Sequence, residues 1–136
     1  MANFVYTKAK ESLLKGEINS SSAQYRVALI DSSKYSPNQL TNQFLSEISA
    51  NAIVAISENI QNVTNTNGVL DANDITISYD GAAFDSIVLY QVGSSNSNSR
   101  LLFYIDSSTG LPFEGSNSSL SVTITWSNET TKILAL

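Results

Sequence analysis

The strongest strand signals are segments in which apolar residues run on or alternate strictly. Residues 24–30 alternate apolar and polar positions, as a strand does. Residues 83–92 and 100–106 are rich in β-branched and aromatic side chains and flank the polar connection 93–99. These two segments therefore predict a long antiparallel hairpin.

Weaker signals complete the β pattern. Residues 74–79 alternate, and 120–126 place Leu, Val, Ile and Trp on one face. The apolar run 52–56 predicts a strand buried on both faces, and 132–136 predicts a closing strand. The pair at 67–68, Asn-Gly, favours a tight hairpin turn.

Two short helices are predicted near the N-terminus. The first covers residues from Thr7, a suitable N-terminal cap, to Gly16, a suitable left-handed stop. We expect Ala9 and Leu13 to face the core, with Leu14 as a third candidate. The spacing of apolar residues predicts a second helix over 42–48.

These elements predict one domain over residues 1–136, mainly β, with about seven to eight strands and one or two short helices in the N-terminal third. The expected architecture is an antiparallel sandwich or a small barrel. Residues 1–6 are a possible N-terminal arm. Phe4, Val5 and Tyr6 either pack back on the first helix or reach a neighbouring subunit, and they are the predicted subunit or capsid contact.

Composition narrows the chemistry. The chain has no cysteine and no histidine, which excludes disulfides, thiolate catalysis and cysteine-based zinc sites and removes the commonest general base. Neither a Gly-x-Ser-x-Gly elbow nor a phosphate-binding glycine loop occurs. We therefore expect no enzyme activity, no catalytic residue, no cofactor and no metal.

Two carboxylate pairs are the nearest approach to an acid–base site. They are Asp71 with Asp74 and Asp80 with Asp85, and all four residues lie at predicted turns, where Asp is favoured for structural reasons. A calcium loop starting at Asp71 would need glycine at its sixth position, where this chain has Thr76. We interpret these residues as turn residues.

Five aromatic residues on the predicted strands could in principle form a platform for a sugar. On alternating strands, such residues are more typical of a core. They are Phe84, Tyr90, Phe103, Tyr104 and Trp126.

Charge and polarity bear on partners. The formal net charge is −5 and the seven Lys and Arg residues are scattered, so nucleic acid is not an expected partner. No stretch is apolar enough to span a bilayer, and the N-terminus lacks the charge order of a signal peptide. Ser, Asn and Thr make up 47 of the 136 residues, so the surface is made polar by hydroxyls and amides.

Several segments resemble a family of small virion proteins of tailed bacteriophages. They are Lys8–Ile18, Val27–Asp31, Phe44–Ile48, Ala83–Asp85 and Thr109–Pro112. Within such phages, a small acidic β-protein is similar to the capsid cement, or decoration, proteins. The resemblance implies a structural protein on the outside of the head that bridges major-capsid subunits, often as a homotrimer. It supplies no ligand or active-site residue.

Two alternatives remain open at this point. A tail or head–tail connector component would have the same composition. A host-surface carbohydrate-binding module would need exposed aromatics, such as Tyr90, Tyr104 or Trp126.

Overall fold

The computed structural model describes residues 3–18, 23–66, 69–107, 110–116, 118–126 and 134–135. They form one α-helix, α1 (Thr7–Leu14), and ten strands, of which eight have three or more residues. The strands are β1 (Phe4–Val5), β2 (Tyr25–Ile30), β3 (Ile53–Ile56), β4 (Thr64–Thr66), β5 (Val69–Asp71), β6 (Ile75–Tyr79), β7 (Ser86–Gln91), β8 (Arg100–Ile105), β9 (Leu120–Ile124) and β10 (Leu134–Ala135). The chain is mainly β, as predicted.

A five-stranded antiparallel sheet, in the order β1-β8-β7-β2-β3, forms the centre of the molecule. Its middle strands are buried on both faces because side chains alternate between two cores. On β2, for example, Val27 and Leu29 enter one core, and Ala28 and Ile30 enter the other. This arrangement explains why β2, β7 and β8 are almost continuously apolar.

One face of the central sheet packs against two smaller sheets, completing a sandwich. The smaller sheets have the orders β10-β5-β4 and β6-β9. Leu70 of β5, Ile77 of β6 and Trp126 after β9 all pack into the shared core. We call this core the sandwich core.

The other face is covered by α1 and by residues 31–52, which we call the helical layer. Ala9 of α1 packs there with Tyr35, Leu45, Ile48 and with side chains of the central sheet. We call this second core the helix-side core.

Several sequence predictions need correction at the level of single elements. Thr7 is the first residue of α1, not its cap, and no side-chain cap bond forms at that end. The predicted helix 42–48 is a 3-10 turn, Leu45–Glu47, because the Leu45 N–H bonds to the Ser99 carbonyl of a distant loop instead of continuing a helical ladder. A second 3-10 turn, Ala50–Ala52, follows.

The strand predicted over 52–56 forms as β3, but it lies at the edge of the central sheet. Its residues are half-buried, and Ile56 is exposed, so burial on both faces was wrong. The hairpin predicted around 67–68 is confirmed by the pairing of Thr66 with Val69. Its two turn residues, and all but Leu134–Ala135 of the predicted closing strand, lie outside the described residues.

Candidate contact surface

The N-terminal segment adds a strand to its own chain. β1 pairs antiparallel with β8, with Phe4 opposite Tyr104. The Asn3 side chain fixes this pairing, since its Oδ1 accepts the N–H groups of Asp106 and Ser107 and its Nδ2 donates to the Ser107 carbonyl. The segment therefore has a defined place on the molecule.

The three predicted contact residues differ in accessibility. Phe4 and Val5 are half-buried, and the Phe4 ring stacks on Tyr104 with 5.4 Å between ring centroids. Tyr6 has 0% exposure and lies in the helix-side core. In this conformation only Phe4 and Val5 present surface to another molecule.

Tyr6 instead begins a buried hydrogen-bond chain. Its hydroxyl lies 2.9 Å from that of Tyr35, which donates to Asn42 Oδ1 at 2.7 Å. The side chain of Glu47 closes the local turn by accepting the N–H groups of Gln43 and Phe44, at 2.7 Å each. This chain ties the N-terminal segment to the helical layer.

Burial dominates the ionisation of these tyrosines. It raises the pKa of Tyr35 to about 12 and raises that of Tyr6 well above its ordinary value. Both hydroxyls are therefore protonated over the physiological range, and they serve as hydrogen-bond partners.

An exposed leucine lies beside the N-terminal segment. The Gln39 carbonyl accepts the Thr7 N–H at 2.9 Å, and the Gln39 side chain donates to the Val5 carbonyl at 3.4 Å. The next residue, Leu40, is 67% exposed. We define Phe4, Val5 and Leu40 as the N-terminal patch. Sequence reasoning missed Leu40, because only the fold brings it next to β1.

The helical layer also carries most of the cations. Four of the seven Lys and Arg residues lie on this layer or directly beside it: Lys8 and Lys10 on α1, Lys15 directly after it, and Lys34. Lys8 and Lys15 each form an ion pair with Glu11, at 3.2 and 3.6 Å. Leu14, the last residue of α1, is 90% exposed and does not face the core. Three cations and an exposed leucine therefore lie within residues 8–15.

On the opposite side of the molecule, the described strands β6 and β9 present polar residues outward. On the β6–β9 ribbon, the outward residues form two cross-strand hydroxyl pairs, Thr76 with Thr123 and Ser78 with Ser121, each 2.9 Å apart. The inward residues of the same strands pack against the sandwich core. The two pairs consist of neutral side chains, and because their hydroxyls bond to one another they leave few free donors on these two strands.

The candidate carboxylates have structural partners. Asp74 accepts the Trp126 N–H, and Asp80 accepts the Ala82 N–H. Asp85 accepts both the N–H and the hydroxyl of Ser32. In the described parts of the chain, no group of three or more metal-ligating side chains comes together.

The five candidate aromatics are all buried. Their exposures do not exceed 7%, and they lie in the two cores. A flat stacking platform for a sugar is therefore not formed by Phe84, Tyr90, Phe103, Tyr104 and Trp126.

One narrow gap lies between the central sheet and the β4–β5 hairpin. It is apolar, too narrow to admit a water molecule, and bordered by Tyr25, Leu70 and Leu89. The Tyr25 hydroxyl is buried without a hydrogen-bond partner, and burial raises its pKa to about 12. The gap is a packing feature of the sandwich core.

In comparisons with known proteins, no protein-family model matches the chain and no significant relative is found among curated proteins. No helix among the described residues is long and apolar enough to cross a membrane.

Proposed function

We propose that this protein is a structural protein of a tailed-phage virion, a capsid cement that binds the outside of the head. Its partners would be the major capsid protein and further copies of itself, arranged as a homotrimer at three-fold positions. The proposal assigns it no enzymatic reaction and no cofactor.

The proposal is based on the difference between two sides of the molecule. The helical layer presents cations, Leu14 and the N-terminal patch, whereas the β6–β9 ribbon presents neutral hydroxyl pairs. A protein that coats a shell needs one side for its partner and another for solvent. We assign the helical layer to the shell and the ribbon to solvent.

The energetics suit such a role. Exposed leucines can anchor a protein interface when a partner buries them. Several copies on one lattice gain affinity through high effective concentration, so each contact needs only modest strength. Hydroxyl and amide groups on the solvent side keep their polarity as salt concentration varies, since electrolyte screens charges and not neutral dipoles.

Rebinding to stripped particles tests the proposal. We expect purified protein to bind expanded heads that lack it, to saturate at a fixed copy number, and to raise the melting temperature of the particle. Absence of saturation, or no change in melting temperature, would contradict a cement role. Protein found by electron microscopy on the tail or its connector would favour the connector alternative instead.

A matched pair of variants tests the assigned side. Leu40→Asp should weaken rebinding by at least about tenfold, because it removes an apolar anchor and adds charge at the proposed contact. Thr76→Asp adds the same charge on the ribbon and should rebind like the unaltered protein. Equal losses in both variants, or a loss in Thr76→Asp alone, would contradict the assignment.

A further inference from the structure

The two edges of the central sheet differ in how well they are closed to pairing with a further strand. The β8 edge is closed: β1 pairs with one end, the Tyr6 N–H bonds to the Leu102 carbonyl, and the Leu101 N–H bonds to the Gln43 carbonyl. β1 then forms this edge of the sheet and has only two residues, so it offers no long row of backbone groups to another chain. The β8 edge is therefore protected against further pairing.

The β3 edge has none of this protection. β3 pairs with β2 on one side, and within the described residues no strand pairs with its other side. β6 contacts β3 but does not pair with it. The strand contains no charge and no proline, which are the usual devices that keep sheet edges from pairing.

The side chains of β3 add apolar surface to this open edge. Ile53 is opposite Ile30 and Ile56 is opposite Ala28, and both partners lie in the helix-side core, so the two isoleucines share one face of the sheet. An irregularity in the β2–β3 register allows this spacing. Ile56 is 40% exposed, one of three large apolar side chains that the described residues leave exposed.

We infer that β3 is a pairing strand for a second copy of this chain, which adds its own β3 antiparallel across a two-fold axis. The strand favours this occupant because it carries no charge, so two copies can pair without like charges opposite each other. Among the described residues, the other edge strand of the central sheet is β1, which has only two residues and offers a much shorter row of backbone groups. Pairing of a strand with itself also closes after two chains, which prevents open-ended growth.

This inference does not rest on the proposed virion role. A two-fold contact joins chains in pairs, whereas a homotrimer requires a different contact. On a shell, the β3 pair would link copies of neighbouring trimers.

The solution mass of the full chain as a function of concentration tests the inference, measured by sedimentation or light scattering. We expect a monomer–dimer equilibrium. Ile56→Lys should raise its dissociation constant by at least about tenfold, because it places a charge at each end of the paired strands. Thr123→Lys adds the same charge at an exposed residue of β9, away from the β3 edge and on the side assigned to solvent, and should leave the constant unchanged.

Three outcomes would overturn the inference: a monomer at all concentrations, a dimer that tolerates Ile56→Lys, or equal weakening by Thr123→Lys. Amide hydrogen exchange of the unaltered protein gives a second readout that needs no variant. Protection of residues 53–57 should rise with protein concentration, while that of β8 should not. Unchanged exchange across the dimerisation range would also overturn it.

Discussion

The two faces of the central sheet are both buried, but they are held by different means. The sandwich core is filled with apolar side chains and contains one tyrosine hydroxyl, that of Tyr25, without a partner. The helix-side core contains Tyr6 and Tyr35, whose hydroxyls bond to each other and onward to Asn42. The first face depends mainly on packing, with the Trp126 indole N–H donating to the Asn73 carbonyl at its margin. The second face adds the chain of tyrosine hydroxyl bonds, which fixes the helical layer in place.

The largest expected effect comes from removing a leucine from either core. Leu89 lies in the sandwich core and Leu101 in the helix-side core, each at most 1% exposed. Each Leu→Ala variant should lower the free energy of unfolding by about 2–5 kcal/mol, through lost burial and the cavity left behind. Urea denaturation measures both. A loss under about 1 kcal/mol for Leu101→Ala would mean that the helical layer is not a true core.

High pH should weaken the fold through its buried tyrosines. The folded-state pKa values of Tyr6, Tyr25 and Tyr35 lie above the ordinary value near 10, because burial disfavours the phenolate. The unfolded chain therefore loses these protons first, so the stability that they confer is complete below pH 10 and declines as the pH rises through the folded-state values.

Above pH 10, the free energy of unfolding should fall by about 1.4 kcal/mol per pH unit for each tyrosine that stays protonated in the folded state. Denaturation midpoints between pH 9 and about 11.5 measure it. Tyr35→Phe should reduce the slope between pH 10 and about 11.5, because Tyr35 stays protonated in the folded state up to its pKa of about 12. A stability that does not change above pH 10 would contradict the burial of these hydroxyls.

Removing one tyrosine hydroxyl from each core should have a smaller effect on stability, and it compares the two faces of the central sheet directly. Tyr35→Phe leaves the Tyr6 hydroxyl buried without its partner and should cost about 1–3 kcal/mol. Tyr25→Phe removes a hydroxyl that has no partner and should be neutral or stabilising. Chemical denaturation of both variants under identical conditions makes the comparison. If Tyr25→Phe proved the more destabilising, the two faces would not differ as described.

The central strands were predictable because burial on both faces leaves a local signal. Alternation of apolar and polar residues predicted β2, β6 and β9, and the long apolar segments predicted β7 and β8. The positive φ of Gly16, at 76°, likewise follows from its place at the end of α1.

Other features depend on contacts distant in sequence and left no local signal. The turn at Leu45–Glu47 is set by the Leu45 bond to Ser99, which periodicity cannot reveal. Nothing within residues 52–56 tells an edge strand from a central one. The sequence indicated Phe4 and Val5 of the N-terminal patch but not Leu40. Leu40 is placed near them by the hydrogen bonds that the preceding residue, Gln39, makes to the N-terminal segment.

A reconstruction of the virus particle, at a resolution that shows the strands and α1, tests the proposed role most directly. The account predicts density for this chain on the outer surface of the head, with α1 and the N-terminal patch against the shell and the β6–β9 ribbon facing solvent. Density on the tail, or a chain on the head with its ribbon against the shell, would contradict it.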